Sequence, residues 1–200
     1  WRATDEGVPQ GGSLSPLLSN VYLHYALDLW VDHWRRTKAR GEVIIVRYAD
    51  DFIVGFQHKD DAERFTQALG ARLNKFNLEL SAEKTRLIEF GRFVSERRAN
   101  RGEGKPETFS FLGFTHICSK TRQGKFCVLR KTMAKKVRAK LEALKEELRR
   151  RLHGRMAETG RWLAAVLAGH YQYYGVPRNY PSLKAFRREV IALWRRALRR

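Results

Sequence analysis

Two adjacent aspartates, Asp50 and Asp51, are the residues whose type and spacing most directly predict chemistry in this chain. They follow Tyr48-Ala49 and lie between two short apolar runs, 43–46 and 52–54, so a tight bend between two β-strands is expected. Neighbouring carboxylates at such a bend repel each other and gain little for folding. They suit Mg²⁺, which proteins hold through one or two carboxylates together with phosphate oxygens. The pattern therefore predicts a site for phosphoryl or nucleotidyl transfer.

The elements around this bend are predicted from apolar spacing. A helix is expected to begin at Ser15-Pro16, where Ser can cap and Pro suits the first turn. A second helix is expected to begin at Asp60-Asp61, followed by short strands at 78–80 and 87–90. The first helix is expected to bury Leu17, Val21, Tyr25 and Leu29, and the second Phe65, Leu69, Leu73 and Phe76.

The later part of the sequence changes from strands to helices. Residues 95–107 are polar and Gly-rich, which predicts a loop, and 109–114 is predicted to be an aromatic strand that pairs with 125–129. After Thr132 the apolar spacing is helical and predicts three amphipathic helices. The order predicts an α+β part over 1–130 and an all-α three-helix bundle over 131–200.

Charge is distributed unevenly along the chain. The 200 residues carry a formal net charge of +19, with 40 Lys and Arg against 21 Asp and Glu. Residues 121–200 hold 22 of the basic residues and 5 of the acidic ones, so almost all of the excess lies there. Such a region needs a polyanion, and nucleic acid is the usual one. No apolar run approaches the roughly 20 residues that span a bilayer, and Cys118 and Cys127 are too few for a disulfide scaffold.

A Gly-rich segment precedes the first predicted helix. Gln10-Gly11-Gly12 lies a few residues before Ser15, and glycines at a helix N-terminus let the backbone approach a phosphate. Taken alone, the segment fits equally well a turn that simply starts a helix.

In combination with Asp50-Asp51, the segment resembles a known family. The stretches GVPQGGSLSPLLSNVYLH (7–24), RYADDFIVGF (47–56), LELSAEKTRLIEFG (78–91) and FSFLGF (109–114) match the palm of reverse transcriptases, in the family's order. They are most similar to the proteins encoded by bacterial group II introns. Residues 169–198 resemble the thumb, or maturase X region, of the same proteins. The resemblance implies a right-hand polymerase palm followed by a three-helix, thumb-like bundle.

The resemblance also implies roles for individual residues. Asp50 would bind both of two catalytic Mg²⁺ ions, with Asp51 in a lesser role, while Tyr48 and Ala49 would approach the primer end. The remaining implied contacts are Gln10 and Gly11 with the incoming nucleotide, Lys84 with its phosphates, and Phe111, Leu112, Gly113 and Phe114 as a primer grip. From the residues alone, Lys84 also fits a solvated surface lysine, and the aromatic residues of 109–114 also fit a core strand.

One expected component of a two-metal site is missing from this sequence. In the family a second aspartate lies in an earlier strand, which would lie upstream of Trp1. The fingers, which hold the template, are missing from this sequence as well. Asp5, Asp28 and Asp32 lie in the wrong context to replace that ligand. We therefore expect a piece of a longer protein that is inactive by itself.

The basic helices are expected to bind nucleic-acid backbone. Arg149, Arg150, Arg151, Arg195 and Arg196 are predicted to point outward and contact phosphates. Of the tyrosines that could stack on bases, Tyr171, Tyr173 and Tyr174, at least two are expected in the bundle core.

Three functions follow from these patterns. The first is an RNA-directed DNA polymerase of the group II intron type, with intron or template RNA, a DNA primer and deoxynucleotides as partners. The second is a catalytically incomplete, RNA-binding maturase module. The third is a retron or defence-type reverse transcriptase. With a polar N-terminus and no visible signal peptide, a bacterial cytoplasmic location is expected.

Overall fold

Two hydrophobic clusters organise residues 14–199, which are the residues that the structure, a computed structural model, describes. The chain divides into two units after Leu87, and each unit contains one of the clusters. The sequence places its boundary at 130/131 instead, between strands and helices. Within the second unit those strands and helices pack together, so the change of pattern at 131 is not a break in packing. The fold is mixed α/β with small antiparallel sheets.

The first unit packs helices against a two-stranded sheet. Its helices are α1 (Ser15–Leu23), a π-helical segment (His24–Asp28), α2 (Leu29–Thr37) and α3 (Lys59–Asn74). Its strands are β1 (Val43–Tyr48) and β2 (Asp51–Phe56), which pair antiparallel. The rings of Trp34, Phe56 and Phe65 meet at centroid separations of 5.1–6.1 Å and form the centre of the core.

The two faces of the hairpin differ because strand side chains alternate. The face toward the helices carries the cross-strand pairs Val43–Phe56, Ile45–Val54 and Arg47–Phe52. The other face carries Ile44, Val46 and Tyr48, which are exposed. Arg47 is therefore a charged residue at a position that the alternation reserves for the core.

The predicted buried face of the first helix is wrong. Leu17, Val21, Tyr25 and Leu29 are all exposed. The buried residues are instead Ala26, Leu27, Val31 and Trp34. A strict four-residue spacing drifts by about 40° per step around an α-helix, whereas the 27–31–34 spacing stays on one face. The π-helical segment adds a further change of phase. Pro16 lies in the first turn as predicted, but Ser15 makes no capping hydrogen bond.

The second helix is confirmed, and the two short strands after it are not. In α3 the side chains of Phe65, Leu69 and Leu73 are buried. Residues 75–93 contain no strand. Leu78 and Leu80 pack against the first unit's core without joining a sheet, so burial alone accounts for their apolar character.

The second unit begins with a helix that the sequence predicts to be a loop. Helix α4 (Val94–Asn100) lies within the polar segment. It lacks an apolar period, and ion pairs hold it: Arg97 and Arg101 contact Glu89 at 2.6 Å, and Arg101 contacts Glu103 at 2.6 Å. A polar helix of this kind depends on charge pairs rather than on a buried stripe.

A three-stranded antiparallel sheet follows, formed by β3 (Phe109–Phe111), β4 (Phe114–Lys120) and β5 (Phe126–Thr132). The predicted single strand over 109–114 is wrong, because the chain reverses at Leu112-Gly113. Both turn residues have positive φ, 48° and 77°, as a two-residue hairpin turn with this twist requires. The predicted turn that contains Gly124 is confirmed, but the predicted pairing of 125–129 with 109–114 is wrong, because residues 126–129 pair with 117–120 of β4.

Three helices complete the second unit. They are α5 (Ala134–Arg150), α6 (Met156–Tyr174) and α7 (Tyr180–Leu198), and the amphipathic helices predicted after Thr132 are confirmed. They share one core around Leu144, Leu163, Phe186 and Val190. In the part of the chain described, no helix has the length and apolar character to cross a membrane.

Asn179 ties this helical layer to the sheet. It is 1% exposed, and its Oδ1 accepts a hydrogen bond from the Thr132 backbone amide at 3.1 Å. Its Nδ2 donates to Thr132 Oγ1 and to the Tyr174 carbonyl, both at 2.8 Å. One buried amide thus satisfies groups on β5 and at the end of α6.

We expect Asn179→Ala to lower the free energy of unfolding by about 2–3 kcal/mol, because it leaves buried polar groups without partners. Urea denaturation measures the change. Asn100→Ala, at an exposed position in the same unit, is the control and should change stability by no more than about 0.5 kcal/mol. Equal stability of the two variants would contradict the role given to Asn179.

Candidate active site on the hairpin turn

The β1–β2 hairpin places its two aspartates at the tip of the sheet. Tyr48 pairs with Asp51 across the strands, which leaves Ala49 and Asp50 as the two turn residues. Ala49 has a φ of 53°, in the left-handed region that costs a residue with a Cβ about 1–2 kcal/mol. A turn with positive φ at its first position matches the twist of paired strands. The register and the strained turn therefore fix where Asp50 lies.

Both carboxylates are exposed, and Tyr48 beside them is 66% exposed. Neither aspartate forms an ion pair or a side-chain hydrogen bond with any residue in 14–199. Two adjacent, exposed carboxylates that pair with no cationic side chain among the described residues are hard oxygen donors suited to a divalent cation. In the same described range, no cluster of three or more His, Cys, Asp or Glu residues could form a complete metal site. The turn thus fits part of a metal site.

Arg47, immediately before this turn, is held by three elements. Its Nε and Nη2 donate to the two carboxylate oxygens of Asp28 at 2.7 and 2.6 Å. Its Nη1 donates to Asn20 Oδ1 and to the Ala49 carbonyl, both at 2.9 Å. The hydrogen bond from Arg47 and its charge hold the pKa of Asp28 below the ordinary value, although burial acts in the opposite direction. The same contact raises the pKa of Arg47.

A second buried carboxylate, Asp61, fixes the chain that leads into the hairpin. It accepts hydrogen bonds from the backbone amides of Arg40 and Gly41 at 2.8 and 3.1 Å, and it pairs with Arg64. Desolvation would raise the pKa of Asp61, but these donors together lower it. Asp61 therefore remains charged and anchors the start of β1.

The nucleotide-contact residues predicted from the sequence are placed as follows. Lys84 is exposed in a turn of the first unit, where its amide donates to the Ser81 carbonyl at 3.1 Å. Gln10 and Gly11 lie outside the described residues. The structure thus brings together Tyr48, Ala49, Asp50 and Asp51, and it assigns Lys84 to the same unit.

The segment predicted to grip the primer is a rigid turn in the second unit. Leu112 and Gly113 form the β3–β4 turn, and Phe114 is buried against the rings of Tyr173 and Tyr174. Tyr173 donates its hydroxyl to the Leu112 carbonyl at 3.0 Å. A Cβ at position 113 would lie 2.9 Å from the Tyr174 hydroxyl, so glycine is required by both space and φ.

The predicted basic contacts differ in how free they are. Arg149, Arg150, Arg195 and Arg196 are exposed, in the last turns of α5 and α7, although Arg150 also lies 3.5 Å from Glu147. Arg151 is not outward and free as predicted: it bonds Glu147 at 2.7 Å and lies 4.6 Å from the centre of the Trp162 ring. Arg151 follows the last residue of α5, and its guanidinium is held between the Glu147 carboxylate and the Trp162 ring. Of the three tyrosines, Tyr171 and Tyr174 are half-buried and Tyr173 is exposed.

Sequence reasoning missed the partnership between Asp28 and Arg47. The signal was present, because Arg47 interrupts the inward-facing positions 43, 45 and 47, and an inward charge needs a partner. Asp28 and Asp32 are both paired with arginines, Asp32 with Arg35 and Arg36 at 2.6 and 2.8 Å. These pairs give both carboxylates a structural role.

Comparison with known proteins identifies the family of this chain. The model of the reverse transcriptase (RNA-dependent DNA polymerase) family matches residues 1–116. The chain is also 31% identical to protein YkfC of Escherichia coli (strain K12), in an alignment that covers 52% of this chain and 36% of YkfC. The match thus spans about a third of that relative's length. More than half of the chain, including the hairpin with Asp50 and Asp51, lies within the family match, and the chain therefore belongs to the reverse transcriptase family.

Proposed function

We propose that the protein carrying this chain is an RNA-directed DNA polymerase of the group II intron type. It would extend a DNA primer along an RNA template and also bind intron RNA. The observation that carries the proposal is the pair of exposed aspartates at the strained turn, which pair with no basic side chain in 14–199, within a chain of the reverse transcriptase family. Such a turn presents carboxylates to solvent-borne ligands at a fixed position.

In this proposal Asp50 is the principal metal ligand and Asp51 supports it. Divalent ions bound there would activate the primer 3′-hydroxyl and offset the charge of the nucleotide phosphates. The residues of the turn supply position: Ala49 has a small side chain that leaves room for the primer end, beside the exposed ring of Tyr48. A further acidic ligand is needed that the described residues do not supply.

The other predicted contacts complete the proposed site. Lys84 would neutralise phosphate charge on the incoming nucleotide, and Gln10 and Gly11 would contact that nucleotide and its templating base. The turn Phe111–Phe114 would hold the primer. The hydrogen bond from Tyr173 to the Leu112 carbonyl supports the assignment, because a grip must keep its shape while nucleic acid moves past it.

We expect Asp50→Ala in the full-length protein that carries this chain to lower the rate of primer extension on an RNA template by more than about 100-fold. Substitution of a residue that only orients a metal ligand typically lowers metal affinity or activity by about 10–100-fold, and loss of the ligand itself should lower activity more. Asp51→Ala should cause a smaller loss. The measurement is Mg²⁺-dependent incorporation of deoxynucleotides.

Asp60→Ala is the matched control for this experiment, because Asp60 is an exposed acid in the same unit, in the first turn of α3. It should keep the wild-type rate. Primer extension by the Asp50→Ala variant at the wild-type rate would contradict the assignment of Asp50 as a catalytic metal ligand.

A second function, an RNA-binding maturase-like module, is favoured by the charge of the C-terminal helices. Residues 121–200 hold 22 Lys and Arg, and Arg149, Arg150, Arg195 and Arg196 are exposed in the last turns of two helices. Contacts of these groups with phosphates would release counterions, so that affinity falls steeply as salt rises. This function does not require polymerase activity.

We expect the double variant Arg195→Gln, Arg196→Gln to bind single-stranded RNA with a weaker salt dependence. Loss of two phosphate contacts should make the slope of log affinity against log salt shallower by about 1.4, since each contact contributes about 0.7 on a single strand. Fluorescence anisotropy across a salt series gives the slope. The control is Arg35→Gln, Arg36→Gln, which removes two exposed arginines already paired with Asp32 and should leave the slope unchanged. RNA binding that is insensitive to salt, or equal slopes for both variants, would count against the basic helices as the RNA site.

A further inference from the structure

Arg47 donates several hydrogen bonds from a strand position that faces the hydrophobic core. Its side chain is 15% exposed, and it donates four hydrogen bonds of 2.6–2.9 Å. Two of these form a fork on Asp28, which is among the strongest and most geometrically specific contacts between side chains. A contact set of this kind fixes the guanidinium plane.

The acceptors come from three different elements. Asp28 ends the π-helical segment, Asn20 lies in α1, and the Ala49 carbonyl belongs to the turn that carries Asp50. Asn20 is itself held, because its Nδ2 donates to the Pro16 carbonyl at 3.0 Å. The turn is thereby tied through one side chain to two successive segments of the first helical run.

The π-helical segment contributes to this geometry. The amide of Leu29 bonds the His24 carbonyl, five residues earlier, so that the helix is one residue wider per turn at this point. His24 Nδ1 lies 3.5 Å from Asp28 Oδ2, on the side chain that also receives Arg47. Short π-helical segments inside α-helices are frequent at functional sites.

We propose that Arg47, held by Asp28 and Asn20, is a positioning residue that sets the geometry of the Ala49-Asp50 turn for catalysis. The inference rests on the proposed polymerase function, and it assigns to this network a role that stability alone does not require. Ala49 is in a strained conformation, which persists only where the surrounding structure determines it. The bond from Arg47 Nη1 to the Ala49 carbonyl opposes that relaxation directly.

A purely structural ion pair is the alternative, and the chain offers a matched example of one. Asp32 in α2 bonds Arg35 and Arg36 within its own helix, and no side chain in this cluster bonds the turn. Asp28→Asn and Asp32→Asn therefore make the same chemical change in neighbouring helical segments, and only the first acts on a residue that contacts the turn.

The test uses the full-length protein with Asp28→Asn, Asn20→Ala and the control Asp32→Asn. Residues that orient a ligand typically cost 10–100-fold, so Asp28→Asn should lower kcat for primer extension by at least about tenfold with KM for deoxynucleotide changed less than about threefold. Asn20→Ala leaves the Arg47–Asp28 fork in place. It should lower kcat by more than about twofold, but by less than Asp28→Asn does. Asp32→Asn should match the wild type.

Amide hydrogen exchange at residues 48–52 gives a second readout that does not depend on activity. Exchange there should be faster in Asp28→Asn and Asn20→Ala than in Asp32→Asn, while exchange in α3 is unchanged in all of them. If Asp28→Asn does not fold, Asn20→Ala decides the question, because it removes only one bond of the network.

The outcomes separate this inference from the proposed function. The positioning role would be overturned if the wild type is active and Asp50→Ala is inactive, but Asp28→Asn and Asn20→Ala have the same kcat and the same exchange as Asp32→Asn. A wild type that extends no primer, or an Asp50→Ala variant that still does, would overturn the proposed function. In that case unchanged exchange at 48–52 would also overturn the bracing of the turn, and faster exchange would support it.

Discussion

The fork between Arg47 and Asp28 is a directed contact between the hairpin and the first helical run of the first unit. Aromatic packing around Phe65 holds the helices on the sheet, but it acts at the far end of the hairpin from the turn. Apolar contacts are not directional, and they leave the tip of a two-stranded ribbon free to twist. Directed bonds from Arg47 reach the tip itself. The turn that carries Asp50 is therefore held by a directed bond from Arg47 as well as by the strand register.

Both turns that the family resemblance assigns to the reaction are built on the same physical plan. Each contains a non-glycine residue at positive φ, Ala49 in one and Leu112 in the other. In each, a side chain donates a hydrogen bond to that residue's carbonyl: Arg47 to Ala49 and Tyr173 to Leu112. A strained conformation persists only where its surroundings determine it, and these bonds provide that determination. The two units use it independently.

Short-range rules predicted the elements that depend on local pattern. The hairpin, α3 with Phe65, Leu69 and Leu73, and the three C-terminal helices follow from period and turn chemistry, and the structure agrees. The failures occur where tertiary partners decide. Leu17 and Val21 have helical spacing but no core beside them, and α4 is held by ion pairs that no apolar period signals. In the candidate site the sequence pointed to Asp50 and Asp51, but it could not reveal that the partner of Arg47 is Asp28, 19 residues earlier in the chain.

We propose that the turn at Asp50 binds a divalent cation through its carboxylates. Fe²⁺ occupies oxygen-ligand sites of Mg²⁺ type and, with ascorbate and peroxide, releases radicals that cut the nearby backbone. Cleavage of the full-length protein in the presence of primer and template, mapped by mass spectrometry, therefore locates the cation. The account predicts cuts concentrated at residues 47–52, suppressed by excess Mg²⁺ and absent in Asp50→Ala. Cuts that fall elsewhere while the turn stays intact would contradict it.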